Sequence, residues 1–178
     1  MRNLSKVVLC VGFAYAAVFF AHGQALKPAP ELKNLDYFSG TWTLEGTMKP
    51  GAMGPGGTMA ETETNKWMEG NFFLLCNSDF KSATMGNGTE LAIMGYDSDR
   101  KVYTYDAFNS MGEAEHSTGT LDGDTWTWQS DEHMNGSMVK GRFTIKTLSP
   151  TTYTFKFDMS QDGTNWNTVM DGKATKAQ

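Results

Sequence analysis

The chain has 178 residues, 15 Lys and Arg against 20 Asp and Glu, a formal net charge of −5, and 39% hydrophobic residues. That length fits one domain and is short for two. The acidic balance argues against a sequence-independent nucleic-acid binder, which needs basic surface to neutralise phosphates, and outside the extreme N-terminus no run approaches the roughly 18 apolar residues of a membrane-spanning helix.

Arg2 and Lys6 give the N-terminus a positive charge, residues 7–20 are apolar, and Ala21-His22-Gly23 places small residues at both positions that a signal peptidase reads. This pattern predicts a secretory signal over residues 1–23, cleaved after Gly23, and an exported protein, periplasmic or extracellular. Removing those residues takes off Arg2 and Lys6 and no acid, so the mature chain has 155 residues and a charge of −7. Of the two cysteines only Cys76 then remains. A lone cysteine forms no internal disulfide, and within Phe-Phe-Leu-Leu-Cys it reads as a small buried hydrophobe.

Residues 24–31 read as an exposed tail, and 32–178 as a single β-barrel domain. Where the two meet, Leu32, Leu35 and Phe38 recur at helical spacing, with Pro30 at the start and Ser39-Gly40 after the end. One short amphipathic helix is expected there. Strands follow over 41–48, 58–69, 71–81, 89–96, 101–109, 113–121, 124–132, 137–147, 151–160 and 164–175. Turn residues separate them, among them Gly70, Asp97-Ser98-Asp99, Gly112, Asp122-Gly123, Asn135-Gly136 and Asp162-Gly163. Short links between sequential strands make an antiparallel meander. The fold class expected is all-β: about ten antiparallel strands in an up-and-down barrel with one short N-terminal helix. With 5 Trp, 5 Tyr, 8 Phe and 11 Met after residue 23, its core is built from rings and thioethers.

Two hairpins suggest a register. A two-residue turn at Asp162-Gly163 sets Met159 against Trp166 and Phe155 against Met170, with Tyr153, Phe155, Phe157, Met159, Trp166 and Met170 on one face. A turn at Asp122-Gly123 sets Trp126 against Gly119, Trp128 against Ser117 and Ser130 against Glu115, with His116 on the opposite face. In the glycine-rich run at 50–57, between the first two strands, no helix follows and no adjoining Lys-Ser or Lys-Thr occurs, so it reads as a flap.

Leu-Asp-Tyr-Phe-Ser-Gly-Thr-Trp (35–42), a short helix followed by Gly-x-Trp at the head of the first strand, resembles the calycin superfamily of lipocalins, fatty-acid-binding proteins and nitrobindins. The segments at 68–75, 94–103, 119–124 and 162–166 look closer to a bacterial family of exported domains of unknown function. The resemblance implies a closed barrel with a helix near one mouth and an interior cavity. In lipocalins the ring of this motif packs beneath an arginine from the last strand; here Trp42 is expected to close the barrel bottom, and the last strand departs from that pattern by offering Lys173 and Lys176 instead.

The residues expected to face the interior are Trp67, Tyr103, Tyr105, Trp126, Trp128, Phe143, Phe155 and Phe157. They either line a site for a small apolar or aromatic ligand or fill a solid core. The haem reading from the nitrobindin side needs an inward histidine; the mature chain offers only His116 and His133, both read as solvated or turn residues. Those two lie too far apart along neighbouring strands to share a metal ion. The scattered methionines read as gap fillers, not a copper site. No nucleophile, zinc or phosphate-loop motif occurs, so no catalytic residue and no cofactor is assigned. An enzyme using Tyr103, Tyr105 or an interior carboxylate is the remaining alternative. Glu61 and Glu63 share a strand face and are expected on the solvated exterior.

Overall fold

The structure, a computed structural model, describes residues 26–51, 54–84, 86–134 and 136–177. The signal peptide predicted over 1–23 lies outside them. Ten strands follow one 3-10 helix, Pro30–Tyr37: β1 (Gly40–Met48), β2 (Gly57–Trp67), β3 (Leu74–Ser82), β4 (Gly86–Asp97), β5 (Val102–Asn109), β6 (Ala114–Asp122), β7 (Thr125–Met134), β8 (Ser137–Ser149), β9 (Thr152–Ser160) and β10 (Asn167–Lys176). Each pairs antiparallel with its neighbour in sequence, and β1 pairs with β10 from Trp42↔Lys176 to Met48↔Met170. The sheet therefore closes on itself, leaving no unpaired edge. The expected ten-stranded antiparallel barrel with one short N-terminal helix is what the chain forms.

Closure sorts side chains by parity. Inward positions on β1 are Trp42, Leu44, Gly46 and Met48; threonine and glutamate alternate outward. The 3-10 helix plugs one end. Its period of three residues per turn stacks Leu32 over Leu35, and both are buried with Phe38 against Trp42, Leu74, Tyr103, Trp126 and Tyr153. Polar bonds fix the plug in place. Trp42 Nε1 donates to Phe38 O at 2.9 Å, Trp67 Nε1 to Asp36 Oδ1 at 2.8 Å, and Tyr37 Oη reaches Ser149 O and Thr152 O at 3.0 Å. Lys176 Nζ donates to Tyr37 O at 3.1 Å and lies 5.2 Å from the Trp42 ring centroid. A lysine thus stands over the Gly-x-Trp ring, where the resemblance would place an arginine.

The two expected registers need correction. β6 and β7 meet through a two-residue turn at Gly123-Asp124, so Leu121 faces Trp126 and Gly119 faces Trp128. The register moves by two residues and every face is preserved. Trp126 and Trp128 are inward and buried, and His116 is outward, its Nδ1 2.6 Å from Asp106 Oδ1.

At β9–β10 the loop is longer. Asp162 Oδ1 accepts the backbone N–H groups of Thr164 and Asn165, and Ser160 Oγ accepts that of Gly163. This local network builds a six-residue loop where a two-residue turn was expected. A bulge between Thr168 and Met170 then keeps Met170 inward and turns Trp166 out. There Arg142 stacks over the Trp166 ring at 4.1 Å and pairs with Asp158 at 2.9 Å. Asp158 is only 1% exposed although its strand position faces outward. Burial alone would raise its carboxyl, but bonds from Lys156, Thr168 and Arg142 outweigh that and hold it below the usual range.

Gly119 leaves room for Trp128: a Cβ built there would lie 2.5 Å from the indole. Gly119→Val is therefore expected to destabilise the barrel by about 2–3 kcal/mol, read from urea unfolding. An unchanged midpoint would show that the ring has somewhere else to go.

Candidate ligand chamber

Above the plug the barrel is hollow. A chamber of about 140 Å³ is bounded by Phe38 and by side chains from eight strands. Leu44, Trp128, Phe143, Ile145 and Tyr153, on β1 and β7–β9, form its apolar wall. The opposite wall, on β2 to β6, carries Glu61, Glu63, Glu90, Tyr105 and Glu115, with Met94 deeper and Ser117 beside Glu115.

Register explains the acidic wall. Glu61 and Glu63 lie across β1 from Leu44 and Trp42, both inward, so they are inward too. Glu63 faces Ser78 on β3, which faces Glu90 on β4. Glu115 is aligned with Ala107, two places from Tyr105 on β5. The expectation that Glu61 and Glu63 lie on a solvated exterior is thus overturned. The stretch Glu61-Thr62-Glu63-Thr64 is polar on both faces and carries no local sign of which is inner. The signal was two residues further out: Met59 and Trp67 share the parity of Glu61 and Glu63, and apolar residues at both ends of one face mark it as the core face.

Few bonds satisfy these carboxyls. Tyr105 Oη donates to Glu90 Oε1 at 2.9 Å, Ser117 Oγ donates to Glu115, and Ser130 Oγ donates to Glu132 Oε1 at 2.5 Å. The Ser78 hydroxyl engages Glu61, and the Asn65 amide and Cys76 thiol engage Glu63. Burial comes first in raising all four carboxyls, and neighbouring carboxylates add to it. Glu63 is pushed up to about 7 by burial and by Glu61 and Glu90 nearby. Burial also carries the Tyr105 hydroxyl well above its usual value, and the Cys76 thiol upward, so Cys76 is an inert core residue. None of the residues lining the chamber is Lys, Arg or His. Among the described residues no group of three or more His, Cys, Asp or Glu is placed to hold a metal ion.

The eight residues expected to face the interior all do so by register, but at different levels. Tyr105, Trp128 and Phe143 line the chamber. Phe155 and Phe157 stand behind them, their rings 5.7 and 6.3 Å from that of Phe143. Tyr103 and Trp126 belong to the plugged end, rings 4.7 Å apart, with Tyr103 Oη donating to Glu31 O. Trp67 is half-buried beside Asp36. His133 sits opposite Met138, one position from the inward pair Glu132↔Val139, and is exposed. Neither His116 nor His133 therefore presents an imidazole to the interior, and the haem reading lacks its ligand. No described helix is long and apolar enough to cross a membrane.

Residues 27–176 match the family described as "Protein of unknown function (DUF1579)". Among solved structures, the crystal structure of Rv2717c from M. tuberculosis is similar: 14% identity, a TM-score of 0.59, 85% of this chain covered and 100% of that one. At that identity the likeness is one of fold. No curated protein matches.

Proposed function

We propose that this chain, which belongs to the DUF1579 family, is an exported, non-enzymatic binder that holds a small molecule with an aromatic or apolar body in its barrel chamber. The observation that carries the reading is the chamber wall of Leu44, Trp128, Phe143, Ile145 and Tyr153, enclosed by the sheet and closed below by the 3-10 helix. A hollow of about 140 Å³ is near the size that admits a benzene-like molecule and far below the several hundred Å³ of a drug-sized pocket. The ligand is therefore a single-ring compound, and a long-chain lipid does not fit. Export is supported by the charge and hydropathy of residues 1–23, and sequencing the mature N-terminus tests it: a start at Gln24 agrees, an intact Met1 does not.

The binding test follows Trp128. Titration with a panel of single-ring compounds is expected to change tryptophan emission saturably, with one site per chain. Trp128→Ala is expected to remove most of that response. Absence of saturable change with every compound, together with failure of pressurised xenon to enter the chamber in a crystal, would leave a filled structural barrel as the correct reading.

A further inference from the structure

We infer that the chamber selects a small aromatic ammonium ion, the ring against Trp128 and Phe143 and the protonated nitrogen among Glu61, Glu63, Glu90 and Glu115. This names the ligand class of the site proposed above and rests on that reading.

Acceptors outnumber donors on the chamber wall. Four carboxyls face the hollow from β2, β4 and β6, and no basic side chain lines it. Three of the protein's own donors there are already engaged: Tyr105 on Glu90, Ser117 on Glu115, Ser78 on Glu61. A second observation points the same way. Asn65, next inward from Glu63 on β2 and only 1% exposed, uses its amide N–H on Phe38 O at 3.0 Å, and its Oδ1 has no partner at all. Asn65 does not itself line the chamber, but it follows Glu63 on the same strand face and is bonded to Phe38, and both of those residues do. Buried acceptors without donors are costly, and like charges crowded in a poorly solvated space are costlier. A ligand that brings positive charge and several N–H groups relieves both. An anion meets four carboxyls and no basic side chain, so the same wall disfavours it. The facing rings add a surface for the cation's apolar body.

The titratable groups facing this position are Glu61 and Glu63 on β2, Cys76 on β3, Glu90 on β4, Tyr105 on β5, Glu115 on β6, Glu132 on β7 and Tyr153 on β9; β1, β8 and β10 turn none toward it.

Three probes sharing one ring and a two-carbon arm separate the possibilities: 2-phenylethylammonium, 2-phenylethanol and 3-phenylpropionate. At about pH 8 calorimetry is expected to give the ammonium at least about tenfold tighter binding than the alcohol, and no measurable binding of the carboxylate. The ammonium-to-alcohol ratio is expected to shrink toward about pH 5, where Glu63 is protonated. It is also expected to fall to near one in Glu61→Gln/Glu63→Gln. Equal binding of all three, or preference for the carboxylate, overturns the cation assignment and leaves the binding reading intact. Binding of none overturns both. A ratio unchanged in the double variant overturns the role given to these glutamates.

Discussion

Trp42→Ala is expected to destabilise the barrel by about 4 kcal/mol, the largest effect of any single truncation here. Trp42 is fully buried, and its ring lies 4.9 Å from Tyr153 and 5.3 Å from Tyr37. It joins three parts of the molecule. Its indole N–H holds Phe38 of the plug, its strand pairs with both β2 and β10, and Lys176 from the closing strand stands over its face. Removing the ring opens a cavity beneath the plug and frees the contact between the first and last strands. Against a typical domain stability of roughly 5–15 kcal/mol the loss is severe. Urea unfolding should show a lower midpoint at unchanged slope. Trp42→Phe, which keeps a ring and loses the N–H bond, should cost about half as much. A loss below about 1 kcal/mol for the alanine variant would mean that the plug is held by something else.

The second large effect is on the pH dependence of stability. Glu63 holds its proton up to about 7 in the folded chain, against 4.5 ordinarily, because burial and the neighbouring Glu61 and Glu90 disfavour its charge. The folded state therefore binds more protons than the unfolded state between those values. Stability from this group is complete below about pH 4.5 and is lost as pH rises through about 7, by at most about 3 kcal/mol. Glu61, Glu90 and Glu115 are displaced in the same direction. Glu63→Gln, which imitates the protonated carboxyl, should thus stabilise the protein by about 2–3 kcal/mol at about pH 8 and leave it nearly unchanged at about pH 4.5. Equal stability of variant and parent at the higher pH would mean that Glu63 is hydrated there.

Such a wall of raised carboxyls is expensive for a protein whose only task is to fold. It is what one expects where a site is arranged for a ligand and stability is given up to make it. The plugged end shows the contrast. There Phe38, Trp42, Tyr103, Trp126 and Tyr153 pack ring against ring, and among the described residues the one buried side-chain N or O atom without a partner is Asn65 Oδ1.

The strands were legible because their boundaries are chemical. Gly70, Gly112 and Gly123 each adopt positive φ at the turns where glycine was expected to mark one. The plug was legible because Leu32, Leu35 and Phe38 repeat every third residue, a spacing that also serves the tighter 3-10 helix. Parity carried the tryptophans to the right face even with the β6–β7 turn misplaced, since an error of two residues leaves faces unchanged. Trp166 was misread because a bulge adds one residue, and one residue is the shift that reverses a side chain. The acidic wall was misread for a different reason. Glutamate between threonines is the ordinary composition of an outer strand face, and only the distant Met59 and Trp67 contradict it. Glu90 was given no face from the sequence, although its inward neighbours Ala92 and Met94 share its parity.

These glutamates face the barrel's hollow and not bulk water. Carbon-13 NMR titration of the glutamate side-chain carboxyls tests it most directly. Four resonances, assigned to Glu61, Glu63, Glu90 and Glu115 by glutamine substitution, should titrate above the usual carboxylate range, that of Glu63 near 7. All four titrating near the ordinary 4.5 would place them in open water and contradict the account.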